Sequence, residues 1–225
     1  MHDVAVDCET MASVPFSRLR RSGGRLAPPG PVWDGVNAAV VAWCVAPQRG
    51  RPADPVSRFV RPEPGDLVDN PFSSEVTPER LLEHGVPARE CLAELGAAIL
   101  AADRVACHNA DFDRGVIVSH MRRAGLGDLA DEVDAKEWVC TMRRAIESEP
   151  AFNRKFPKLA DLVRFYGLEW PSATGEQHTA AADALACAMC HAVQTGGRQR
   201  ENSPKLGHWR TSGVDCSSDE MFGHV

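Results

Sequence analysis

Two acids one residue apart close the segment Asp3-Val-Ala-Val-Asp-Cys-Glu9 near the start of this 225-residue chain. Its apolar, β-branched opening predicts a strand, in which residues i and i+2 point to one face. Asp7 and Glu9 would then present both carboxylates on one side, with Cys8 on the other. Paired carboxylates repel unless a cation lies between them, and hard oxygen ligands suit Mg2+ or Mn2+. A strand that runs out into a solvated acidic loop has the same D-x-E spacing, so the pair acquires meaning only with company elsewhere.

That company comes from two later stretches, His108-Asn-Ala-Asp-Phe-Asp-Arg114 and His178-Thr-Ala-Ala-Ala-Asp183. His178 and Asp183 are five residues apart, about 500° of helical rotation, so they share no helical face. If both serve one site, His178 lies at or before a helix start and Asp183 inside the helix. Residues 184–193 carry no charge apart from His191. A lone buried carboxylate in such a helix is costly, and a metal is its natural partner.

The elements that must position these side chains follow from periodicity and breakers. A strand over about 3–9 is followed by an irregular insertion at 12–34, whose prolines, glycines and four arginines exclude a regular element. The insertion reads equally as a strap facing a substrate and as an arginine-rich surface excursion. Val36–Val45 is β-rich and nearly continuously apolar and predicts a central strand, and Val56–Arg61 an antiparallel third. Thr77-Pro-Glu-Arg80 is a helix start with proline in first position. Further elements are a helix over about Ala88–Ala101, a strand at Arg104–His108 and a helix ending near Ala124. A strand at Lys136–Cys140 and helices at about 141–148, 157–166 and 179–194 complete the pattern. Three strands followed by strands alternating with helices predict an α/β fold, a mixed sheet with helices on both faces.

Asp-x-Glu, His-Asn-Ala-x-Phe-Asp and His-x4-Asp, in that order over about residues 3–194, resemble the three motifs of DEDDh 3′–5′ exonucleases, the DnaQ-like (proofreading) branch of the ribonuclease H-like fold. Trp138-Val-Cys-Thr-Met142 and Lys158-Leu-Ala-Asp-Leu162, with Tyr166-Gly167, look like the family's connectors. The resemblance implies a ribonuclease H-like, mixed five-stranded sheet. It makes Asp7, Glu9, Asp113 and Asp183 ligands of two divalent cations, Mg2+ or Mn2+, and His178 the general base. Asp111, before the motif's Phe, is expected to cap the helix. Thr10, Met11 and Asn109 are the candidates for gripping a terminal nucleotide. The implied substrate is nucleic acid with a free 3′ end, single-stranded DNA favoured and RNA or short oligonucleotides the alternative. Two departures bear on substrate choice: the 12–34 insertion, and Ser74-Glu-Val-Thr77 where the family shows His-Gly-Ile-Thr.

Composition bounds the rest. A net charge of −6 excludes a globally basic nucleic-acid surface, although arginines cluster at 18–25, 122–123 and 143–144. No apolar run is long enough to span a membrane, and no secretory leader opens the sequence, which predicts a cytoplasmic protein. Eight scattered cysteines read as small buried hydrophobes. Cys187-Ala-Met-Cys190-His191 has the spacing of a c-type haem site, but its alanine-rich surroundings favour buried helix positions. Residues 1–195 form the expected exonuclease domain, and 196–225, rich in Gly, Ser and charge, a flexible tail. Two rivals are a catalytically idle subunit bound to a polymerase or another complex, and an endonuclease of the wider fold.

Overall fold

The computed structural model describes residues 2–14, 16–19, 21, 25–47, 51–153, 155–171 and 179–196. The apolar opening of the chain forms β1, His2–Thr10, which is the middle strand of five. On one side it pairs antiparallel with β2, Ala38–Pro47, and β2 pairs antiparallel with β3, Val56–Phe59. On the other side it pairs parallel with β4, Val105–Cys107, which pairs parallel with β5, Trp138–Cys140. The order is β3-β2-β1-β4-β5, the mixed five-stranded sheet expected from the sequence.

The strict alternation of β1 sends its side chains to two different layers. Val4, Val6 and Cys8 join the main core with Leu92, Leu95 and Ile99 of α3, Ala88–Ala101, and Val116, Ile117 and Met121 of α4, Ala110–Arg123. Ala5 faces the opposite layer, against Leu185, Cys187 and Ala188 of the last helix, Ala180–Gly196. Alanines on both surfaces let that helix lie close along β1. Its register is fixed at the far end by His191, whose Nε2 is 2.7 Å from the Asp3 carboxylate, itself paired with Arg104. Cys187 and Cys190 are buried helix residues, as expected.

The insertion at 12–34 is more regular than its prolines predict. It contains a short helix, α1, Phe16–Leu19, and a 3-10 turn at Pro31–Trp33. Leu19 and Trp33 are fully buried, so these described parts of the segment are seated in the core. Trp33 lies on α4 at Gly115, where a Cβ would come within 2.1 Å of an indole carbon. Burial of an amphipathic aromatic overrode the local breakers. Asp111 does not cap α4: its carboxylate accepts from Arg25, Arg143 and the Leu26 amide, tying the insertion to the helix.

The other helices are α2, Pro78–His84, capped by Thr77, and α5, Gly127–Asp134, which the sequence reading did not anticipate. They continue with α6, Thr141–Ser148, α7, Leu159–Phe165, and finally α8, the Ala180–Gly196 helix described above. The predicted helix 157–166 is trimmed to a single short one because Pro157 and Lys158 remain outside it. The expected tail, from 197 onward, lies outside the described residues. Among the described residues no helix is long and apolar enough to cross a membrane.

Candidate metal centre

The carboxylates of β1 end up beside α8 because alternation and helix register agree. Asp3, Ala5, Asp7 and Glu9 share a face, and α8 runs back along it from Asp183 to His191. Carboxylate oxygens of Asp7, Glu9 and Asp183 all lie within 4.8 Å of one another. The three residues are 7%, 6% and 6% exposed, so water screens their mutual repulsion poorly. Asp183 Oδ1 is buried and accepts no hydrogen bond among the described residues.

Asp113 enters from the other neighbour. The β1–β4 ladder pairs Val4 with Val105 and Ala5 with Ala106, and no pairing is made beyond. The Cys8 amide is therefore left without a strand partner, and Asp113 Oδ1, in the first turn of α4, accepts it at 3.1 Å. This bond ties the fourth acid to the backbone of the residue between Asp7 and Glu9, and Asp113 is only 2% exposed. His108 braces the loop that delivers it. Its Nε2–H donates to the Pro157 carbonyl at 2.9 Å, leaving Nδ1 to accept from the Thr141 hydroxyl at 3.1 Å. Burial pulls the imidazole down to about 4, so it is a neutral strut.

Burial is the first cause of every carboxylate shift in the cluster. It pushes Glu9 up to about 9, with repulsion from Asp183, Glu75 and Asp113 adding to it. Asp183 is pushed up to about 7 by burial and then by Glu75. Asp113 also rises to about 7 through burial, against the stabilising bonds from Cys8. Asp7 stands well above the ordinary carboxylate range, from burial and then Asp113, Asp183, Glu9 and Glu75. Such a set holds protons near neutral pH and exchanges them for cations.

The structure thus brings together Asp7, Glu9 and Asp183, with Asp113 one hydrogen bond away, among the residues singled out in the sequence. His178 lies outside the described residues. Thr10 is buried and its hydroxyl donates to the Ala12 carbonyl at 2.9 Å. Met11 sits in the core, its amide donated to the Asn37 carbonyl. Asn109 is the N-cap residue of α4, and its buried Nδ2 has no hydrogen-bond partner among the described residues. One acid escaped the sequence reading. Glu75, 5% exposed, accepts the Ala180 amide at 2.6 Å and contributes to the repulsion on Asp7, Glu9 and Asp183. Its only sequence signal was an acid in the Ser74-Glu-Val-Thr77 departure.

No family model and no curated protein matches the chain. Solved structures do share its fold. One is the structure of the yeast NOT1 MIF4G domain co-crystallized with CAF1, at TM-score 0.60 and 13% identity, covering 89% of this chain and 82% of that one. E. coli exonuclease I in complex with a dT13 oligonucleotide superposes at TM-score 0.57 and 16% identity over 86% of this chain. The chain spans 41% of that enzyme's length. A 3′-exonuclease solved for its 3′-end specific recognition of histone mRNA stem-loop gives TM-score 0.59 and 12% identity, with 85% and 80% covered. The fold is that of the ribonuclease H-like exonucleases.

Proposed function

We propose that this protein is a divalent-metal-dependent 3′–5′ exonuclease that shortens nucleic acid from its 3′ end to nucleoside 5′-monophosphates. Single-stranded DNA is the favoured substrate. The observation that carries the reading is the packing of the Asp7, Glu9 and Asp183 carboxylates within 4.8 Å, at the C-terminal half of the central strand. Three buried carboxyl groups at that separation, one with an oxygen unpaired among the described residues, fit a site for positive charge. Acid-only, oxygen-only donors fit Mg2+ or Mn2+. The likeness to solved exonucleases of DNA and RNA supports the same reading.

Asp7, Glu9, Asp113 and Asp183 would hold two divalent cations, which when bound polarise the scissile phosphate and activate a water. The protein's own residues do the rest. Asp113 and the Cys8 amide keep β1 and α4 at a fixed separation, so the four acids form one preorganised set. Asn109 offers its side-chain amide, unpaired among the described residues, to the terminal nucleotide. His178, by its place in the His-x4-Asp motif, removes the proton from the attacking water, a task suited to imidazole near neutral pH.

The test uses 5′-labelled single-stranded DNA and RNA of one sequence, with Mg2+ or Mn2+, beside an Asp7→Ala control. A ladder shortening from the 3′ end, absent in the control, is the expected result, with DNA the faster substrate. A folded, cation-binding protein that shortens neither strand overturns the exonuclease reading in favour of a binding subunit.

A further inference from the structure

The loop between β3 and α2 brings a fifth acid to the centre, and its hydrogen bond indicates its purpose. Glu75 is followed by Val76, which is buried in the main core, and by Thr77, whose hydroxyl caps α2. On its other side the carbonyl of buried Ser73 accepts the Val76 amide at 3.3 Å, so the backbone around Glu75 is held. Its carboxylate reaches the Ala180 amide, the first amide of α8, at 2.6 Å. First-turn amides have no intrahelical acceptor and lie at the positive end of the helix dipole, so an anionic acceptor suits them. Thr179 takes a second one, accepting the Ala182 amide at 3.2 Å.

Ala180 and Asp183 are three residues apart and lie on neighbouring lines of the helix surface. A hold on the Ala180 backbone therefore sets where the Asp183 carboxylate falls. We propose that Glu75 is a positioning residue of the metal centre, fixing the first turn of α8 so that Asp183 meets Asp7 and Glu9. The inference rests on the metal-centre reading above. Glu75 lies in Ser74-Glu-Val-Thr77, one of the two stretches where the sequence departs from the pattern it resembles.

Two conservative variants separate the bond from the charge. Glu75→Gln keeps an acceptor of the same reach without the charge, whereas Glu75→Asp keeps the charge but shortens the reach. The measurements are Mn2+ affinity by calorimetry and hydrogen exchange of the Ala180 amide, neither of which depends on turnover. Glu75→Asp is expected to weaken Mn2+ binding about 10- to 100-fold and to speed exchange at Ala180. Glu75→Gln is expected to stay within a few-fold of wild type, with Ala180 protected. Wild-type affinity in Glu75→Asp overturns the proposal, as does a Glu75→Gln protein that binds weakly while Ala180 stays protected. A wild-type protein that binds no Mn2+ overturns the metal-centre reading and this inference with it. One that binds Mn2+ as expected but degrades no strand overturns the exonuclease reading alone.

Discussion

Cation binding at this centre should be paid for in protons, and the number follows from the carboxylate environments. With Glu9 near 9 and Asp113 and Asp183 near 7, pH 7 leaves Glu9 protonated and each aspartate about half protonated. Filling the site with Mg2+ at pH 7 therefore releases about two protons, shared among the cluster. The release grows below pH 7 and shrinks above it, so apparent binding tightens as pH rises. The sign for stability without cation runs the other way. Groups raised on folding contribute stability that is complete below their unfolded values near 4. That stability is lost as pH rises through about 7 and then about 9. The cation-free protein should melt lower at pH 9 than at pH 5, and Mg2+ at about 100 times its Kd should return about 2.7 kcal/mol. For a chain of this size that is about 5–11 °C in Tm. Calorimetric titration at pH 7 in two buffers of different ionisation enthalpy reads the proton count directly. A release below about half a proton would show that the acids are already ionised, and refute the picture of a buried, self-repelling cluster.

Two further substitutions test the arms of the site. Gly115→Ala drives a methyl group into Trp33 and should cost about 1–3 kcal/mol by overpacking; the expected readouts are a lower Tm and faster tryptic cleavage at Arg18 or Arg21, and wild-type behaviour in both would remove Trp33 as the anchor of the insertion. His178→Ala should lower kcat about 10²- to 10⁴-fold with KM little changed if the imidazole acts as general base, and a variant with full rate and an unaltered pH profile would end that assignment.

What could be seen in the sequence was whatever depends on local pattern. Period-two alternation in 3–9 fixes Asp7 and Glu9 on one face whatever surrounds them, and the structure keeps them there. Thr77-Pro marks the start of α2 through chemistry confined to one turn. The misses share the opposite character, because they are tertiary. Prolines and glycines in 12–34 argue against regular structure, yet the burial of Leu19, and of Trp33 against α4, imposes it on the parts described. Asp111 has the sequence position of a cap, but Arg25 and Arg143 reach it from segments far away in the chain. Glu75 is the clearest case. Its partner is 105 residues distant, so no window of sequence contains both. A buried acid without a local partner can be recognised in sequence only as an anomaly, as Asp183 was in its apolar helix. Glu75 raised no such alarm, because Ser74 and Thr77 made its surroundings look like an ordinary polar loop. The acids that a site presents to its ligand can thus be written in short motifs, whereas those that hold the motifs together are scattered and emerge only when the chain has folded.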